Sequence, residues 1–147
     1  DALSDPATDL PHMLPAPEAF AAGMETLGLG DADFVVVYDG AGLYSSPRAW
    51  WMLRAMGHAG CAVLDGGLPK WRREGRPLSA APVRPAPAKF TPHPQPEMLR
   101  SLAQMKANLA SREDQVLDAR SPGRFRGEEI EPRSGGRPGH IPVSLNL

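Results

Sequence analysis

Residues 77–96 hold seven prolines, in runs such as PVRPAPAKF and TPHPQPE. Each proline fixes φ and lacks an amide donor, so neither a helix nor an interior strand can pass through such a stretch. The chain must build its regular structure on either side, and the segment is predicted to be an extended, semi-rigid linker. That gives a first part, 1–76, the linker, 77–96, and a second part, 97–147.

The first part reads as helix, strand, helix, strand, helix. Leu14-Pro-Ala-Pro17 opens a helical pattern with Phe20, Met24 and Leu27 on one face, closed by Gly28-Leu29-Gly30. Phe34-Val-Val-Val-Tyr38 is a β-branched run of the kind buried on both faces inside a parallel sheet. Ser45-Ser46-Pro47 reads as an N-cap followed by proline at the first helical position. The helix behind it carries Trp50, Trp51, Leu53 and Met56, and Cys61-Ala-Val-Leu64 is the next strand. Pro69–Glu74 is predicted as a short helix that packs Trp71. Two strands joined through a helix imply a right-handed crossover, hence an α/β parallel-sheet design. Beyond the linker, Pro96-Glu97 starts a predicted helix with Met98, Leu102, Met105 and Leu109 on one face, and Gln115–Leu117 is a strand.

Charge is local rather than global. The formal net charge is −1, so no overall field draws the chain to nucleic acid or membrane, and neither is expected as a partner. No apolar run approaches the ~20 residues of a membrane span. One cysteine, Cys61, rules out an internal disulfide and suits a reducing, cytoplasmic setting. With four scattered histidines it gives no metal-ligand spacing, and no cofactor is expected. The opening DALSDPATDLPHMLP lacks an initiator Met and a signal-peptide pattern, so a fragment or processed piece is expected. Against this background Arg120, Arg124, Arg126, Arg133 and Arg137 crowd one connection after the strand ending in Asp118. Guanidinium forks match carboxylates and oxyanions, so the connection is a candidate cradle for a small anion.

Several of these motifs, in this order, resemble the two-domain sulfurtransferases of the rhodanese family, which include thiosulfate and 3-mercaptopyruvate sulfurtransferases. They are His12-Met-Leu-Pro15, Val37-Tyr-Asp39, Gly42-Leu-Tyr-Ser-Ser-Pro-Arg48, Leu64-Asp-Gly-Gly67, Leu117-Asp-Ala-Arg120, Gly123-Arg-Phe-Arg-Gly127, Glu131-Pro-Arg133 and Gly139-His-Ile-Pro142. The resemblance implies a rhodanese-like parallel sheet flanked by helices, in tandem domains both incomplete here. Residues 1–76 are then the later part of an inactive N-terminal domain, and 97–147 the opening part of a catalytic C-terminal one. It implies transfer of sulfane sulfur from a small anionic donor, 3-mercaptopyruvate or thiosulfate, to a thiol or cyanide through a cysteine persulfide. Arg124 and Arg133 take the place of the family's substrate-binding arginines, and no residue of this chain takes that of the catalytic cysteine. The alternative is a non-catalytic anion-binding or protein-interaction module. A companion chain or a strand-exchanged dimer that completes the sheet is a further expectation.

Other residues read structurally. Asp39 occupies the position equivalent to the catalytic cysteine's in the inactive domain, and a carboxylate cannot accept sulfane sulfur. Cys61 opens an apolar strand, whereas a reactive thiolate wants cationic neighbours or a helix N-terminus. Asp118 and Arg120 read as an internal ion pair bracing the loop, and His140 as a turn-ordering residue. Val143 stands where the family usually has glycine. Either the turn accommodates a β-branched residue or the path into the last strand differs.

Overall fold

The computed structural model describes residues 3–5, 7, 8, 10, 12–132 and 135–147. It divides into two compact units, residues 1–99 and 100–147.

The first unit is built on helix α1 (Pro17–Thr26), strand β1 (Val35–Val37), helix α2 (Ser46–Ala55), strand β2 (Cys61–Val63) and helix α3 (Gly67–Arg73). Pro17 supplies a pre-set φ at the start of α1, and the helix buries Phe20, Ala21 and Met24. It closes in a Schellman turn, with Gly28 N–H donating to Glu25 O and Leu29 N–H to Met24 O. Gly28 has φ 71°, and a Cβ there would lie 2.8 Å from the Cβ of Pro85. Leu27, expected on the buried face, falls instead at the helix end and is exposed. β1 and β2 pair in parallel, with Val35 opposite Cys61 and Val37 opposite Val63. The predicted crossover therefore forms, and its helix α2 buries Met52, Leu53 and Ala55.

The run at 34–38 is not buried on both faces as expected. Val35 and Val37 pack on the core, but Val36 is 51% exposed, and Phe34 and Tyr38 are exposed with it. The helices α1 and α2 supply the core on one side of a two-stranded sheet. On the other, among the described residues, α3 and the following chain approach and leave a shallow groove along Val36, Tyr38, Leu68 and Trp71.

The proline-rich segment runs without helix or strand from Pro77 to Gln95. Its second half lies on the first unit. Lys89 O accepts from Asp31 N–H, the Asp31 carboxylate accepts from Thr91 N–H and Oγ1, and His93 and Gln95 donate N–H to Met56 O and Ala55 O. Phe90 is buried in the core edge-on to Phe20, with ring centroids 5.6 Å apart.

Pro96 does not start the α-helix expected there. Pro96–Met98 form one 3-10 turn in the first unit, Leu99 is extended, and helix α4 runs Leu102–Ser111. A capping box sets that start: Ser101 Oγ accepts Gln104 N–H while Gln104 Oε1 accepts Ser101 N–H. The apolar stripe is largely uncovered, with Leu102 and Leu109 exposed and Asn108 the one buried residue of the helix. Asn108 grips the following turn by accepting Asp114 N–H and donating to Asp114 O. Strands β3 (Leu117–Asp118) and β4 (Leu145–Asn146) pair in parallel, and between them lies a short helix α5 (Pro122–Arg126).

Val143 decides which of the two turn readings holds. Ser144 N–H donates to Ile141 O, Pro142 sits second in the turn, and Val143 third with φ 63°. That is a type II turn, whose third position is normally glycine, so a β-branched side chain is held against its preference. Replacing Val143 by Gly should stabilise the second unit by about 0.5–1 kcal/mol, the strain relieved outweighing glycine's extra unfolded-state entropy. Amide hydrogen exchange at Ser144 and Leu145 would report it; faster exchange in the variant would contradict the assignment.

Candidate functional site

Residues 118–146 gather the charged connection around two largely covered carboxylates, Asp118 and Glu131. β3 ends at Asp118, and Pro122 starts α5 with Ser121 as N-cap, so Arg124 and Arg126 emerge from a single rigid turn. Within the connection, Ser121-Pro122 is the signal in the sequence for this short helix. Arg120 is gripped by Asp118, with Nη2 2.6 Å and Nε 3.1 Å from Asp118 Oδ2, and it also donates to Gly139 O at 2.7 Å. Asn146 on β4 donates to the carbonyls of Asp118 and Arg120, pinning the loop base. The bracing expected of Asp118 and Arg120 is therefore what they do.

Glu131 joins the two arginines. Its Oε1 accepts from Arg120 Nη1 at 2.7 Å and Arg124 Nε at 3.3 Å, and its Oε2 from Arg124 Nη2 at 2.5 Å. The Arg120 hydrogen bonds hold the Asp118 carboxyl down at about 2, and Arg124, seconded by Arg120, lowers that of Glu131. Arg126 pairs with Glu128 at the surface, where such a pair contributes little. His140 stacks flat on Phe125, centroids 3.7 Å apart, with Nδ1 2.8 Å from Phe125 O. A carbonyl partner requires the proton on Nδ1, so His140 closes the turn onto α5.

Among the predicted site residues, Arg124 stands in this cluster, whereas Arg133 lies outside the described residues. A cleft of about 620 Å³ opens at the Asp118 and Arg120 side of the cluster, lined by Val116–Arg120, Arg137–Ile141 and Ser144. Arg137, not singled out as a binder from sequence, borders it; Arg124 does not. Among the described residues no His, Cys, Asp and Glu group is arranged to hold a metal ion.

The loop after β1 is also an anion site, but a filled one. Asp39 Oδ1 accepts Ala41 and Gly42 N–H at 2.8 and 2.7 Å. Its Oδ2 accepts Tyr44, Ser45 and Ser46 N–H and the Ser46 hydroxyl at 2.8–2.9 Å. Asp39, not the Ser45 side chain, thus caps α2. These donors, the Ser46 amide foremost, hold its carboxyl far below the usual range. Gly67 brings α3 against the same loop: a Cβ there would lie 2.7 Å from Gly42 O. Cys61 is half-buried, its Sγ 3.4 Å from His58 O, and burial pushes its thiol pKa up. It is poorly suited to be a nucleophile.

The described helices include none long and apolar enough to cross a membrane. The family description "Rhodanese-like domain" matches residues 8–74. Over its whole length the chain is 48% identical to human 3-mercaptopyruvate sulfurtransferase and 43% to that of Escherichia coli K12. It spans about half of each relative, 50% and 52%. A crystal structure of 3-mercaptopyruvate sulfurtransferase from Escherichia coli superposes with TM-score 0.86 at 39% identity, covering 99% of this chain and 54% of that one.

Proposed function

Since the chain belongs to the rhodanese family, we propose that this protein is a sulfurtransferase moving sulfur from 3-mercaptopyruvate or thiosulfate to a thiol or cyanide through a cysteine persulfide. Arg124, together with Arg133, binds the donor's carboxylate or sulfonate end. The observation that carries this reading is the pose of Arg124: Glu131 engages its Nε and Nη2, and among the described residues Nη1 has no recorded partner. A guanidinium edge left open above a rigid turn suits a small bidentate anion.

On this reading the thiolate that attacks the donor sulfur comes from outside residues 1–147: Cys61, the one thiol here, is half-buried, and burial raises its pKa and disfavours the thiolate. A reducing, cytoplasmic location fits an unpaired thiol. The uncovered sheet face of the first unit is consistent with cover from further residues or a companion chain.

Steady-state assays with both donors on the whole protein test the clamp. Arg124→Ala should raise KM for either donor by about tenfold or more with a smaller change in kcat, as a charge-assisted bidentate contact is lost. An unchanged KM would refute the role of Arg124. Residues 1–147 alone should show no turnover, and a persulfide on Cys61 after incubation with either donor would refute the placement of the nucleophile.

A further inference from the structure

We propose that Glu131 is the positioning residue of the donor clamp, fixing Arg124 along one edge so that its other edge faces the donor. This rests on the clamp reading above and adds a residue to it. The Glu131 side chain is 11% exposed, against 29% for Arg124 and 28% for Arg120, so the carboxylate lies beneath and the guanidinium groups above. Through Glu131, Arg124 is tied to Arg120, and Arg120 is itself fixed to Asp118 and Gly139 O at the end of β3. An arginine on a five-residue helix thereby acquires the rigidity of the strand end.

The geometry of the grip selects what remains. Glu131 consumes the Nε proton and one Nη2 proton, leaving the Nη1 protons and the second Nη2 proton as a planar fork. The charges point the same way. Two guanidinium groups and two carboxylates, Asp118 and Glu131, make the cluster neutral. Removing the Glu131 charge would leave Arg120 and Arg124 repelling, and Arg124, the one without a second anchor among the described residues, would swing out. A carboxylate that merely competed with the donor would have the opposite effect, since its removal would tighten binding. The sign of the change therefore separates positioning from competition.

The test uses the whole protein labelled with 15N, reading the arginine Nε–Hε resonances during titration with pyruvate, an unreactive 2-oxo carboxylate. The wild type should show a saturable shift at Arg124, with Hε keeping the downfield position of a carboxylate-bonded proton throughout. In Glu131→Gln the apparent Kd should rise about tenfold while the backbone amide spectrum stays folded. Equal or tighter binding by Glu131→Gln overturns the positioning role and leaves the clamp standing. Absence of any shift at Arg124 in the wild type overturns the clamp and the positioning role together. Should Glu131→Gln unfold, the wild-type titration decides: an Hε signal that moves to its solvent-exposed position on binding means Glu131 is displaced, and the proposal fails.

Discussion

Replacing Phe90 by Ala should destabilise the first unit by about 3–5 kcal/mol, the range for removing a buried aromatic ring. Phe90 is 2% exposed and packs against Phe20 and His58. The neighbouring backbone bonds depend on it, because Lys89 O, Thr91, His93 and Gln95 reach the first unit from the same extended strip. Loss of the ring should therefore loosen residues 89–95 as well as open a cavity. Urea denaturation followed by tryptophan fluorescence reads this directly, since Trp50, Trp51 and Trp71 all lie in the first unit. Val83→Ala, in the same proline segment but 87% exposed, should leave the midpoint unchanged. Equal midpoints for the Phe90 variant and the wild type would mean that the segment is only a tether.

Asp39→Ala should give the second large effect, a fall in melting temperature of roughly 4–8 °C, the scale expected when a helix cap is lost from a unit of this size. The amides of Ala41, Gly42, Tyr44, Ser45 and Ser46 would lose their common acceptor. Water can reach several of them, which keeps the loss below that of a buried cluster. A pH signature accompanies it. The folded carboxyl pKa is depressed, so the stabilisation is fully present above the unfolded value of about 3.9. It is lost as pH falls from there through the folded value. Asp39→Asn should therefore flatten the acid limb of the stability profile below about pH 4. An acid limb identical to that of the wild type would show that the carboxylate is not held as the hydrogen bonds indicate.

Asp39 fills the anion site of its own loop. The amide cradle at the end of β1 is of the type that stabilises an anion at a reacting centre. Here the anion is a side chain of the loop itself, the Asp39 carboxylate.

The α/β class and the crossover of the first unit were legible in Phe34–Tyr38, Pro47–Met56 and Cys61–Leu64, because pattern period and Pro/Gly punctuation act over a few residues. Less was legible where distant parts meet. Proline content marked residues 77–96 as non-regular, yet nothing local distinguishes a free linker from one laid on a core by Phe90. The Ser45-Ser46-Pro47 motif marked a helix start but not that Asp39 would cap it from the preceding strand.

The arginine connection draws the same boundary at the candidate site. The sequence alone determined that Arg120, Arg124 and their neighbours would bring several guanidinium groups into one connection, since their charge is permanent and independent of context. Only the tertiary structure decided how that charge is apportioned. Arg120 is spent on Asp118, Glu131 and Gly139 O, and Glu131 holds Arg124 by one edge. Distance and direction, to which charge–charge hydrogen bonds are steeply sensitive, are set by β3, α5 and the turn at His140 rather than by the spacing of residues along the chain.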